Sequence, residues 1–110
     1  MVTDQLSDDD VDRLFQALAD STRRDILNRV LHREQSVSAL AAAYAMSFAA
    51  VHKHVSVLER ARLVTKERRG REQLVHPVPG ALRTAARLLD EYESVWRDRA
   101  SRIDELIADD

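Results

Sequence analysis

Apolar residues fall on helical spacing through most of the chain and on strand spacing over one short stretch. Val11, Leu14, Phe15 and Leu18 make one stripe, and Ile26, Leu27, Val30 and Leu31 make another, so both segments predict amphipathic helices. Ser7 ahead of Asp8-Asp9-Asp10 marks the start of the first helix, over 8–19, with Asp10 placed for a capping box. Asp20 and Ser36 occupy cap positions for the second helix and for a short third helix, Val37–Tyr44, with Leu40 inward. Ala45-Met46 form a turn, and Ser47 caps a fourth helix that reaches Arg60. After Leu63 the period changes. Val64–Arg68 and Glu72–His76 read as strands joined by Arg69-Gly70-Arg71, where Gly70 supplies the positive φ of a tight connection. Pro77 and Pro79 stop the second strand, and a last helix runs from about Gly80 to Ile107.

The fourth helix has two unlike faces. Val51, Val55 and Leu58 stack on one side, while Ala49, His52, Lys53, Ser56 and Arg60 are read on the other. A helix that turns small and hydrogen-bonding residues outward, just ahead of a cationic hairpin, suits a groove in double-stranded nucleic acid. Ala49, His52, Lys53 and Ser56 are placed to reach base edges, with Ser47 and Phe48 at the helix entry and Arg60 further along. Arg68, Arg69 and Arg71 at the hairpin tip are placed to meet phosphates or a narrow minor groove.

The last helix carries a different pattern. Leu82, Leu89, Trp96 and Ile103 recur every seven residues, and Ala85, Tyr92 and Leu106 fill a second seam in which Arg99 is the exception. A helix of this length spans roughly 40 Å at 1.5 Å per residue, more than a domain this small can cover. Pairing with a second copy about a two-fold axis would bury the stripe. The expected interface combines Leu14 of the first helix with Leu82, Leu89, Tyr92, Trp96 and Ile103 of the last.

Composition narrows the picture. With 110 residues there is room for one domain, expected to span 1–110: helix-turn-helix 36–61, hairpin 64–77 and C-terminal helix 80–107. Two Gly and two Pro leave little room for long loops or a phosphate-cradling loop. The absence of Cys excludes disulfides, thiolate metal sites and a cysteine nucleophile. No apolar run suggests a secretory signal or a membrane span, so a cytoplasmic location is expected. The net charge of −2 hides segregation. Residues 52–71 hold seven cations against two acids, residues 1–12 hold five acids and no base, and residues 89–110 hold eight acids against three Arg. Phosphates respond to the local field within about 8–10 Å, so a basic middle between acidic ends can bind DNA in one orientation only.

Two runs carry a family resemblance. Phe15-Gln16-Ala17-Leu18-Ala19-Asp20-Ser21-Thr22-Arg23-Arg24-Asp25-Ile26-Leu27 resembles the opening signature of the ArsR/SmtB family of bacterial winged helix-turn-helix repressors. Val37–Arg71 is similar to that family's DNA-reading unit, particularly Met46-Ser47-Phe48-Ala49-Ala50-Val51, Lys53-His54 and Leu58-Glu59-Arg60-Ala61. The resemblance implies a mainly α fold with a small β-hairpin, a homodimer, a recognition helix at Ser47–Arg60, a wing at Val64–His76, and repression at a promoter relieved by a signal. The chain departs from the pattern at Ser21, where the family often has Pro, and at Arg62, where a Gly often ends the recognition helix. A left-handed Arg62 would cost on the order of 1 kcal/mol relative to Gly. The third departure is the absence of the Cys-containing metal motif, replaced by Leu40-Ala41-Ala42-Ala43.

The remaining chemistry is sparse. His32 suits a helix C-terminus, His54 lies at the edge of the buried face, and His76 ends the second strand. His52 and His54 are two apart on a helix and cannot share a metal. No metal site, no cofactor and no catalytic residue is assigned, and an unidentified effector is expected to act on the dimer. Two other readings stay open: an N/O-ligated nickel or zinc sensor of the same fold, using acids of the last helix, and a winged-helix protein-interaction module that does not bind DNA. Nickel titration separates the first, and a gel shift with the chain's own promoter region separates the second.

Overall fold

The computed structural model describes residues 6–108. Helices α1 (Asp8–Leu18) and α2 (Ser21–His32) lead into a two-residue strand β1 (Gln35–Ser36), then α3 (Val37–Tyr44) and α4 (Phe48–Arg60). The hairpin β2 (Val64–Arg69) and β3 (Glu72–Pro77) precedes a long α5 (Pro79–Ala108). The outer members of the expected span 1–110, including Asp4, Asp109 and Asp110 of the charge segregation, lie outside the described residues.

Each expected cap forms. Ser7 Oγ accepts from the Asp10 amide at 3.1 Å while the Asp10 carboxylate accepts from the Ser7 amide at 3.2 Å, a complete capping box. Asp20, Ser36 and Ser47 accept from the amides of Arg23, Ala39 and Ala50 at 3.1, 3.0 and 3.1 Å. These bonds are local, three residues apart, so they mark where α2, α3 and α4 begin without depending on distant parts of the chain.

The core gathers Leu14, Ile26, Leu40, Val51, Val55, Leu58, Leu63, Val64 and Val75, all essentially without solvent exposure. It joins the inner faces of the first four helices to the sheet. From α5 it takes only Ala81 and Ala85 among fully buried side chains, with Leu82 packed at its edge. The 30-residue α5 is about 45 Å long and runs past this core, which is why the protomer measures 69 × 37 × 23 Å.

Four expectations need correction. Leu14 is not at a surface a second copy could cover: it is wholly buried, and on α1 it is Phe15, 36% exposed, that stays outside. Ala17, too small to stand out in the sequence, turns inward beside Leu14. The wing is part of a three-stranded antiparallel sheet of order β1-β3-β2, since Gln35 and Ser36 pair with Val75 and Leu74. The connection between β2 and β3 is two residues, not three, because Arg69 pairs with Glu72 as the closing rung. Gly70 has φ +63° at the first central position, the pattern of a type II′ turn. Pro77 closes β3 against Val64, beyond the reach of β1, where only one neighbouring strand remains.

Candidate nucleic-acid interface

The α3–α4 turn sets the attitude of α4. Ala45 takes a left-handed conformation (φ 55°, ψ 36°), and the Met46 amide donates back to the Ala41 carbonyl at 3.2 Å. This closes α3 abruptly and lets Ser47 start α4 two residues later. At the far end Arg62 is also left-handed, with φ 63°, and the Leu63 amide donates to the Leu58 carbonyl at 3.0 Å. The chain thereby leaves α4 and enters β2 within three residues, bringing the wing alongside the helix.

With Val51, Val55 and Leu58 buried, α4 turns Ala49, Lys53 and Arg60 to solvent, and Ser47 and Phe48 are exposed at its start. His52 and Ser56 differ from the expected arrangement. Both are half-buried on the flank facing β2, where the Lys66 ammonium lies 3.4 Å from His52 Nε2, 3.5 Å from Ser56 Oγ and 3.3 Å from a Glu59 carboxylate oxygen. The cause is spacing: residues 52, 56 and 59 share a face about a quarter turn from Lys53. The His52 ring also stacks on Phe48, with centroids 5.9 Å apart and planes at 24°.

The three wing arginines are exposed but not equivalent. Arg68 donates to the Gly70 carbonyl at 3.2 Å. Arg69 is held by Glu67 at 3.2 Å and by Glu34 at 3.6 Å. Glu67 also accepts from His76 Nε2 at 2.8 Å, and that hydrogen bond, followed by the charge of Arg69, holds the Glu67 carboxyl below its ordinary range. Arg71 is the second central residue of the turn.

Several groups that carry this geometry are not evident in the sequence. Arg23 donates through Nε to the Ala17 carbonyl at 2.9 Å and through Nη2 to the Gln16 carbonyl at 3.0 Å, and Arg24 donates to the Leu18 carbonyl at 2.7 Å. The two side chains thus cap the carbonyl end of α1 from α2. Arg23 Nη1 also lies 3.4 Å from His54 Nδ1, and Asp20 lies 3.6 Å from the same nitrogen, which ties the helix junction to α4. Across the other side of α4, Arg13 and Gln16 of α1 face Val57 and Arg60 over an open groove. Tyr44 of α3 donates to the Asp25 carboxylate, Arg29 donates to the same carboxylate at 3.0 Å, and the Arg29 guanidinium sits 5.0 Å over the Tyr44 ring. Burial, and then the hydrogen bond to Asp25, push the Tyr44 hydroxyl up to about 12. The hydrogen bonds from Tyr44 and Arg29 hold the Asp25 carboxyl below its ordinary value. His32 Nδ1 lies 2.7 Å from the Asn28 carbonyl at the end of α2, as its position suggested.

Of the expected interface residues on α5, Leu82 packs at the edge of the core, while Leu89, Tyr92, Trp96 and Ile103 are exposed. Val95, Leu106 and Ile107 extend the same exposed stripe. Among the described residues no three His, Asp or Glu come together as a metal site would require, and no helix is long and apolar enough to cross a membrane.

Comparison with known proteins agrees with this architecture. A family model described as a helix-turn-helix domain matches residues 18–67. The HTH-type transcriptional regulator Rv2034 of Mycobacterium tuberculosis is 38% identical over 81 residues, 74% of this chain and 76% of that protein. An ArsR-like transcriptional regulator from Rhodococcus sp. RHA1 superposes with a TM-score of 0.80 at 30% identity, covering 92% of this chain and 93% of that one. The solution structure of the homodimeric winged helix-turn-helix DNA-binding domain (fragment 1–100) Mb0332 from Mycobacterium bovis gives 0.61 at 28% identity, covering 89% and 92%. With the capped helix-turn-helix, the three-stranded wing and these relatives together, the chain belongs to the ArsR family of winged helix-turn-helix transcriptional regulators, DNA-binding proteins and not enzymes.

Proposed function

We propose that the protein is a homodimeric repressor that binds a palindromic operator, with α4 of each protomer in successive major grooves and the wing over the flanking backbone. The observation that carries this reading is a set of exposed residues on two elements in contact: Ala49, Lys53 and Arg60 on α4, Ser47 and Phe48 at its start, and Arg68 and Arg71 on the adjoining hairpin. Ala49 leaves room for a base edge, Lys53 and Arg60 supply cations, and His52 and Ser56 reach in from the wing-side flank. The second protomer is supported by the exposed stripe from Leu89 to Ile107, 19 residues and about 28 Å of helix, and by the homodimeric relative. Phe15 takes the place in this interface first assigned to Leu14. A two-fold dimer of this kind reads half-sites about one turn apart, roughly 10 base pairs. A DNA target places the protein in the cytoplasm of a bacterium, and an effector that distinguishes the DNA-competent dimer would relieve repression.

Selection of bound fragments from a random duplex library tests the reading. The expected product is an imperfect palindrome, and a reporter placed behind it is silenced by the protein in cells. Fragments without two-fold symmetry, or a reporter that the protein activates, would refute the corresponding part. The metal-responsive alternative predicts that nickel or zinc changes operator affinity, and among the described residues no grouping of His, Asp and Glu favours it. The interaction-module alternative predicts that no fragments are enriched at all.

A further inference from the structure

Lys66 is the cation of the basic segment that does not face outward. Its side chain is 17% exposed, and its ammonium reaches Glu59, His52 and Ser56 at 3.3, 3.4 and 3.5 Å. A single residue of the wing strand therefore grips one flank of α4 over two turns.

The chemistry of that grip has a consequence for readout. An ammonium has three hydrogens and no lone pair to accept with. A hydrogen bond across this 3.4 Å contact requires the facing His52 nitrogen, Nε2, to accept, because an N–H there would set hydrogen against hydrogen. The ring proton then sits on Nδ1, which has no hydrogen-bond partner among the described residues. Stacking against Phe48 holds the plane of the ring. Ser56 Oγ, by accepting from the same ammonium, keeps its own hydroxyl hydrogen to give.

We propose that Lys66 is a specificity-determining positioning residue: it fixes His52 as the Nδ1–H tautomer, so that His52 meets DNA as a hydrogen-bond donor. The base edges it selects are acceptors in the major groove, guanine O6 and N7, adenine N7 or thymine O4, against the amino donor of cytosine. Lys66 itself is not a phosphate contact. The inference rests on the placement of α4 at DNA argued above, but its link between Lys66 and His52 is open to a test without DNA.

Nitrogen-detected two-bond NMR of the histidine rings in the free protein is the first arm. Wild type is expected to show His52 protonated at Nδ1. Lys66→Met is expected to move the proton to Nε2, and Lys66→Arg, which keeps a donor, to hold it on Nδ1. Backbone spectra establish that each variant is folded. The second arm is binding-site selection with a salt titration. Lys66→Met should lose a preference of about tenfold or more at the base pair that His52→Ala also relaxes, with the salt slope unchanged. An Nε2–H ring in wild type, or a ring and a preference both unmoved in Lys66→Met, would overturn the proposal. So would a salt slope lowered by about one unit with base preference intact, which makes Lys66 a phosphate contact. If wild type enriches no sequence, the placement of α4 fails and the tautomer arm alone decides whether Lys66 sets His52.

Discussion

Trp96→Ala measures how much of the proposed dimer rests on α5. Trp96 is 63% exposed in the protomer, on a stripe with Tyr92 at 64% and Leu106 at 71%. A tryptophan offers on the order of 250 Å², so about 150 Å² remains for a partner to cover, or about 4 kcal/mol at roughly 25 cal/mol per Å². An alanine retains part of that area and association recovers only part of the transfer energy, which leaves about 2–3 kcal/mol per protomer. A two-fold interface loses the side chain twice, so the dimer weakens by about 4–6 kcal/mol, three to four powers of ten in Kd. Sedimentation or light scattering across nanomolar to high micromolar concentration reads this directly, wild type appearing at twice the 12.5 kDa chain mass. Arg97→Ala is the control, since Arg97 lies off the stripe and among the described residues pairs with Glu93 one turn away at 2.9 Å. A Trp96→Ala protein with unchanged dimer affinity, or an Arg97→Ala protein equally weakened, would refute the argument. A clean wild-type monomer would remove the two-fold DNA reading with it.

Three further outcomes are expected. Arg62→Gly relieves a left-handed φ of 63° and, among the described residues, gives up a long contact to the half-buried Asp10 at 3.8 Å, so it should raise stability by about 1 kcal/mol and Tm by several degrees at fixed protein concentration; a lowered Tm would contradict the strain. Tyr44 titrates near 12 in the fold, above its ordinary 10.0, so the stability it contributes is whole below pH 10 and is lost as pH rises toward 12. The Asp25 carboxyl is held below its ordinary 3.8, so its contribution is present above that value and is lost as pH falls through the folded pKa. Tyr44→Phe should therefore flatten the alkaline limb of the stability profile and return the Asp25 titration toward its ordinary value, and an alkaline limb identical to wild type would sink the assignment. On the wing, neutralising Arg71 should weaken all DNA sites alike and lower the salt slope by about one unit, while neutralising Arg69, held by Glu67 and Glu34, should change it less; equal slopes for the two would contradict the difference in tethering.

The sequence makes local chemistry legible and long-range neighbours illegible. Ser7, Asp20, Ser36 and Ser47 could be read as caps because a cap is decided within three residues, and all four bonds form. The two wing strands were legible from period and from Gly70. Strand β1 was not, because two residues carry no periodicity and Gln35 and Ser36 become a strand only by meeting β3. A wide apolar stripe cannot tell which of its members faces its own core, so Leu14 and Phe15 exchange roles once α2 and α4 close over one side of α1. His52 and Ser56 sit on the expected helix, but their partner Lys66 arrives from a strand that the helix wheel does not contain. Arg23 and Arg24 belong to the run that resembles the family, yet their work, closing the carbonyl end of α1 from α2, needs the angle between the two helices.

The geometry also links assembly to readout. Among the described residues from Leu89 onward, α5 buries no apolar side chain in its own protomer, so its outer half gains its packing energy only when a second copy covers it. The inner end of the same helix is anchored by Ala81 and Ala85 in the core that holds Val51, Val55 and Leu58 of α4. In the proposed dimer, therefore, the crossing angle of the two α5 helices sets the distance between the two α4 helices through a rigid core, without a flexible linker. An effector that repacks the α5 seam by an ångström or two would carry the recognition helices out of register with a fixed half-site spacing, while the α4 surface itself stays unchanged.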